Sequence, residues 1–316
     1  MTFVSCLLVE GSCPMILCLG LSPALQRTLV FNKLELNEVN RAVSITLSAG
    51  GKSLNTARAL ATLGAGCKVS GLNGGHNGRV LKRFLDDYGV DSALTPTSAE
   101  TRICTTLLDE TSGSVTELVE NAPPPAEAEM LSFIERNIRL VKESRMLVIC
   151  GTLPPFADND FYCKFTSVAR KANIPFIIDS HKQALLSVLR DKPLMAKLNR
   201  AELETTFGCV IDSDEKTEIH LRKIVRLGAR SVFMTSGGDE AWLVDEEKSV
   251  KLMPPEIDKN VNAIGSGDCT TAGIAFKLTE GSSLEEAVVF GLACGSANAE
   301  TLLPADISPA RISGLL

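Results

Sequence analysis

The sequence predicts an α/β protein in which a mostly parallel sheet carries helices on both faces and a small β-sheet forms a lid. Three observations predict it. Short, wholly apolar runs recur along the chain. Each is followed by a turn signal and then by a helical pattern. Two stretches break this rhythm with β-branched alternation. Buried strands alternating with amphipathic helices imply a parallel sheet covered on both sides.

The strands are read at Ile16–Gly20, Met146–Cys150, Pro175–Asp179 and Ser231–Thr235. Each is a continuous apolar run bounded by turn residues, as a doubly covered strand requires. The helices are read at Leu54–Leu63, Gly78–Tyr88, Ala126–Lys142, Asp160–Lys171, Lys216–Leu227, Gly267–Leu278 and Ser283–Ala299. The interruptions span about 26–47 and 101–119. The second, TRICTTLLDETSGSVTELV, places two strands around Asp-Glu-Thr-Ser-Gly, a hairpin turn. Together they predict a small antiparallel sheet inserted into the α/β domain, placed as a lid over a strand-end crevice. The domain is read as 15–316. Met15 directly precedes the apolar run ILCLGLS, so residues 1–14 are read as an N-terminal extension.

Composition narrows the function. The 316 residues are 45% hydrophobic and 22% charged, enough for a substantial core and ordinary for a globular protein. A net charge of −6, with one Trp and two Tyr, argues against nucleic-acid binding. No apolar run approaches the ~20 residues of a membrane span. The ten cysteines contain no C-x-x-C pair and the three histidines are isolated. Scattered reduced thiols in a cytoplasmic protein are expected.

The strongest local motif is Ala263-Ile-Gly-Ser-Gly-Asp268-Cys-Thr-Thr-Ala-Gly273. Glycines that open a helix let backbone amides approach an anion closely, and a phosphate is the expected guest. Asp268 could accept a proton from an attacking hydroxyl while the amides of Gly265, Ser266 and Gly267 stabilise the transferring phosphoryl group. An ordinary Asp cap on a tight turn is the plainer reading. A second glycine pair, Gly50-Gly51, precedes Lys52 and Asn55 at another helix start, without the spacing of a Walker loop. Asn199 and Glu202 lie three apart and can face one way, as Mg²⁺ ligands or as a helix cap. Cys150-Gly-Thr-Leu-Pro-Pro155 and Met234-Thr-Ser-Gly-Gly-Asp-Glu-Ala241 are turns at strand ends, where open α/β sheets bind ligands.

In this order and spacing the motifs resemble those of the ribokinase-like PfkB carbohydrate kinases, most of all the 1-phosphofructokinase and tagatose-6-phosphate kinase branch. The similarity runs from about Met15 to the C-terminus. Gly50-Gly51-Lys52 with Asn55 matches the first family signature. Gly265-Ser266-Gly267-Asp268 matches the second, G-A-G-D, with Ser for Ala. The resemblance implies a ribokinase-like fold, ATP and Mg²⁺ as cofactors, and a phosphosugar as the small-molecule partner. It implies Asp268 as the base and the preceding amides as the anion hole. Gly50, Gly51 and Asn55 become sugar contacts, and Lys52 and Arg102 the cations that grip the phosphate already on the sugar. Thr152 takes the place of a phosphate-contacting Ser. Asn199 and Glu202 match the magnesium-associated N-x-x-E motif. Lys197, Thr235 and Gly237 match nucleotide contacts, and Asn298 lies in the helix that flanks the adenine pocket. The lid strands often also mediate homodimers in the family.

The family's early T-x-N-P-x-x-D reads here Gly20-Leu-Ser22-Pro-Ala-Leu-Gln26. Ser22 and Gln26 therefore stand where an Asn and a sugar-holding Asp are usual. Gln26 favours a rival reading, a non-catalytic sugar-phosphate-binding protein on a kinase scaffold. Asp268 opposes it, because a pure binder gains nothing from a carboxylate beside a phosphate.

Overall fold

The computed structural model describes residues 15–316, so the reading of 1–14 as an extension lies outside the described residues. The strands are β1 (Ile16–Leu19), β2 (Ala24–Phe31), β3 (Ser44–Gly50), β4 (Cys67–Ser70), β5 (Leu72–Gly74), β6 (Asp91–Ser92), β7 (Thr95–Thr97) and β8 (Ile103–Asp109). They continue with β9 (Val115–Val119), β10 (Met146–Cys150), β11 (Phe176–Asp179), β12 (Met195–Asn199), β13 (Ser231–Ser236), β14 (Asp239–Asp245) and β15 (Ser249–Leu252). The helices are α1 (Lys52–Thr62), α2 (Gly75–Asp87), α3 (Glu127–Glu143), α4 (Cys163–Lys171), α5 (Lys182–Val188) and α6 (Arg200–Phe207). After them come α7 (Asp214–Arg226), α8 (Ser266–Thr279), α9 (Leu284–Ala299) and α10 (Pro309–Leu315).

The apolar runs pair into a nine-stranded sheet of order β15-β14-β13-β12-β11-β10-β1-β4-β6, parallel except at β14 and β15. Successive side chains of a strand point to opposite faces, and here both faces are buried. Ile16 and Cys18 of β1 join one core with Leu54, Leu81, Ile274 and Val288, from α1, α2, α8 and α9. Leu17 and Leu19 join the other with Phe133, Phe165, Leu185 and Leu221, from α3, α4, α5 and α7. The first strand lies inside the sheet, with β4 on one side and β10 on the other. The winding reverses there, and at such a switch point the loops after the strand ends diverge to leave a crevice.

The lid is a four-stranded sheet of order β3-β2-β8-β9. Its outer pairs are antiparallel, but β2 and β8 run parallel, which corrects the expected antiparallel sheet. The cause is connectivity. The chain reaches β8 from β3 by way of α1 and α2, not by a hairpin from β2, so it enters in the same direction as β2. The sequence reading also missed β12. The MAKLN run is a buried strand, and α6 follows it with Asn199 as N-cap and Glu202 at the third helical position, as the helix-cap reading of that pair expects.

Candidate active site

The crevice beyond the ends of β1, β10, β12 and β13 is a single cleft of about 1240 Å³, walled by the lid on one side. That exceeds the ~300–1,000 Å³ of ordinary single-ligand pockets and leaves room for two ligands side by side.

Two glycine turns meet in it. Gly51, at φ +100, caps α1; any Cβ there would stand 3.2 Å from the Ser22 carbonyl oxygen. Gly265, at φ +88, caps α8. The Ser266 amide donates to the Ala263 carbonyl at 3.1 Å, whereas the Gly265 and Gly267 amides have no backbone partner among the described residues. Both glycines line the cleft. A Cβ on Gly267 would stand 3.2 Å from Lys197 Nζ, so an ammonium group lies at the same helix start. The donors, the helix dipole and that charge make this turn suited to an anion. It corrects the expected trio of amides to two, because Ser266 is used inside the turn.

Asp268 sits one residue on, 6% exposed, and its Oδ2 accepts from Asn55 Nδ2 at 2.8 Å. Burial raises its carboxyl to about 7, and the negative Asp179 adds to the rise. Lys52, Asn55 and Lys197 act against it. A carboxylate with this affinity for protons is matched to taking one from a hydroxyl near neutral pH.

Behind it lies an ionic hub that sequence reasoning did not find. Asp179, the last residue of β11, is buried and accepts from Lys52 Nζ at 3.0 Å, Lys197 Nζ at 2.9 Å and Thr271 Oγ1 at 2.7 Å. Burial alone would push its carboxyl up; the two ammonium groups and the hydroxyl outweigh this and hold it well below the usual range. The available signal was a carboxylate ending the wholly apolar strand FIID.

Lys52 also pairs with Glu202 Oε1 at 2.9 Å. Its charge is therefore balanced by two carboxylates beside Asp268. The expected phosphate grip by Lys52 therefore concerns an ammonium that lines the cleft while paired with Asp179 and Glu202. Asn199 and Glu202 form a reciprocal capping box on α6: Asn199 Oδ1 accepts from the Glu202 amide and Glu202 Oε2 from the Asn199 amide, both at 2.8 Å. The cap uses one Glu202 oxygen and leaves the other on Lys52, with His181 Nδ1 at 3.5 Å. Burial works upward on this carboxyl, but His181, Lys52 and the Asn199 amide hold it low.

At the lid end, Arg102 donates from one terminal nitrogen to the Ser22 carbonyl at 2.9 Å and from the other to the Glu120 carbonyl at 3.0 Å. Among the described residues its buried Nε and the Ser22 hydroxyl have no hydrogen-bond partner. Gln26 donates from Nε2 to Thr106 Oγ1 at 2.7 Å, which keeps its amide on the lid wall. Thr152, in the turn after β10, also lines the cleft, as do Thr235 and Gly237 at the opposite end. That far end is closed by Pro254, Pro255, Ile257 and Leu292, an apolar wall that sequence reasoning missed.

Two expected contacts fall elsewhere. Gly50 is buried behind Gly51, where a Cβ would stand 2.8 Å from Gln26 Cβ. Asn298 is wholly buried, and its side chain bonds the turn before α8 and the Ala305 amide, so it does not face the adenine end.

A mostly parallel sheet with an amide-lined helix start, a buried near-neutral carboxylate and a two-ligand cleft defines a phosphotransferase site. The family model for pfkB family carbohydrate kinases matches residues 14–311, and the chain belongs to that family. It is 29% identical over 285 residues to a 1-phosphofructokinase of Bacillus subtilis (strain 168), covering 90% of this chain and 92% of that one. It is 31% identical to a tagatose-6-phosphate kinase of Staphylococcus epidermidis, covering 88% and 91%. The structure superposes on that of phosphofructokinase-2 from Escherichia coli in complex with fructose-6-phosphate with a TM-score of 0.86, at 28% identity over 96% of this chain and 99% of that one.

Proposed function

We propose that this carbohydrate kinase transfers the γ-phosphoryl group of ATP to a hydroxyl of a phosphorylated ketohexose, in the manner of a 1-phosphofructokinase or a tagatose-6-phosphate kinase. The observation that carries the reading is Asp268, buried at the amide-lined start of α8 with its carboxyl near neutrality. Asp268 takes the proton of the attacking hydroxyl as the new O–P bond forms. The bond from phosphorus to the ADP oxygen breaks, and ADP leaves with that electron pair. The Gly265 and Gly267 amides, with Lys52 and Lys197, face the charge that gathers on the phosphoryl oxygens. Arg102 lines the cleft at the lid end and is held by two carbonyls, and the remaining N–H of each terminal nitrogen is the donor that would receive a second phosphate. The names of the relatives support such a substrate.

Magnesium fits the site in one way. Both Glu202 oxygens already accept hydrogen bonds. Among the described residues no group of three His, Cys, Asp or Glu is placed to hold an ion. This donor set suits an ion held by nucleotide phosphates and water, with Glu202 and Asn199 orienting the water. When bound, the ion neutralises phosphate charge.

A lid-to-lid homodimer is part of the reading. By register, Ile45, Leu47 and Leu118 share the lid face opposite Gln26, and all three are exposed. The decisive experiment is an ADP-release assay over a panel of phosphorylated and unphosphorylated hexoses. Turnover confined to phosphorylated ketohexoses is expected. Binding without any ADP release would favour the non-catalytic reading.

A further inference from the structure

Asn298 of α9 makes contacts that a nucleotide-binding residue would not need. Its Nδ2 donates to the Ile264 carbonyl and to Ser266 Oγ, both at 3.0 Å. Its Oδ1 accepts from the Ala305 amide at 2.7 Å and from the Cys269 thiol at 3.5 Å. A carbonyl can only accept and an amide N–H can only donate, so these partners leave one possible orientation for the side-chain amide. Ile264 and Ser266 flank Gly265, the left-handed residue of the phosphoryl-binding turn.

The segment on the other side of Asn298 is strained and anchored. A Cβ on Gly265 would stand 2.8 Å from Pro304 Cβ, so the turn rests directly on Pro304. Ala305 has φ +61, a conformation that Cβ sterics disfavour. Arg58 of α1 donates to the Pro304 carbonyl at 2.9 Å and to Asp306 Oδ1 at 2.6 Å. One turn earlier α1 presents Asn55, which holds Asp268. A continuous path thus joins both glycine turns through residues 304–306 and Asn298.

We propose that Asn298 is the positioning residue of the phosphoryl-binding turn: its amide clamps Ile264 and Ser266 onto the strained Pro304–Ala305 segment, and so sets where the Gly265 and Gly267 amides point. What the turn receives rests on the function proposed above; the clamp itself does not. Donors aimed at developing charge act only when held in place, and a small displacement is felt in the transition state more than in ground-state binding.

Asn298→Asp keeps the acceptor for Ala305 but loses both Nδ2 donations. Asn298→Ala removes all of them. Ala305→Gly lowers the cost of the left-handed backbone and serves as the rescue. In Asn298→Asp, kcat should fall by at least about tenfold while KM for ATP and for sugar stay within about threefold. Amides 263–267 should exchange hydrogen at least about tenfold faster, with β1 unchanged. Adding Ala305→Gly to Asn298→Ala should recover part of kcat. A merely structural role would lower the melting temperature and loosen the core without this split. If kcat per folded enzyme stays within about twofold of wild type in both variants, or exchange at 263–267 is unchanged, the proposal is overturned. If the wild type transfers no phosphoryl group to any hexose phosphate but exchange accelerates locally, the clamp stands and the functional reading falls.

Discussion

Asp268 carries the sharpest expectations at the scale of single residues. Its carboxyl is raised to about 7, so the proposed base becomes ionised as pH rises through that value. The kcat should therefore rise with pH through about 7, and a profile flat from pH 5.5 to 8.5 would exclude Asp268 as the base. Asp268→Asn should lose ~10²–10⁴ in kcat while ATP and sugar still bind. The same shift predicts a stability effect. The folded protein keeps a proton that the unfolded chain releases near pH 4, so this stabilising contribution is present in acid and declines as pH rises toward 7. Urea titrations should show that decline in wild type and its absence in Asp268→Asn. Arg102→Ala should raise KM for a phosphorylated sugar by an amount worth ~2–4 kcal/mol, with a smaller change in kcat. An unphosphorylated sugar should not register the loss; equal losses for both sugars would remove the phosphate from this position.

At the scale of elements, α6 shows a cap and a site sharing one side chain. Glu202→Gln weakens the capping box and also lowers the negative charge facing Lys52. The expected outcome is a higher Mg²⁺ concentration for half-maximal rate, together with about 0.5–2 kcal/mol of lost stability. Lost stability with an unchanged Mg²⁺ dependence would leave Glu202 as a cap alone. The lid makes a separate prediction. Leu47 and Leu118 lie side by side with Arg27 and Thr105 across the sheet, on the face away from the cleft. Leu47→Glu with Leu118→Glu should shift sedimentation toward the monomer while the melting temperature changes little, because both side chains are exposed in the single chain. A sedimentation coefficient that does not move would remove the lid as the interface.

For the whole molecule, Asp179 joins α1, β12 and α8, each of which contributes a residue to the cleft. Asp179→Asn leaves two ammonium groups under-compensated, and Lys197 is buried. The cost should be ~3–5 kcal/mol of stability, read as a lower midpoint in denaturant. Because Asp179 also raises Asp268, the pH at which kcat is half-maximal should move down. A variant with unchanged stability and an unchanged pH profile would show the hub to be incidental.

Much of this was legible in the linear chain. The apolar runs could bury only as parallel strands, and the glycines of Gly50-Gly51 and Gly265-Ser-Gly267 announced helix starts open to a ligand. Asp268 was readable because an acidic residue beside an expected phosphate needs a chemical reason. These features are local, set by side-chain size, periodicity and backbone freedom within a few residues. The parallel pairing of β2 with β8 was not local; it depends on the route taken through α1 and α2. Nor were the partners of the polar side chains. Asn55 meets Asp268 across 213 positions and Lys52 meets Glu202 across 150, so which charge neutralises which follows from how the strand ends converge. Asp268's proton affinity and the inward turn of Asn298 are decided in the same way. Both depend on burial and on groups brought alongside by packing, and neither quantity exists until the sheet has closed around them.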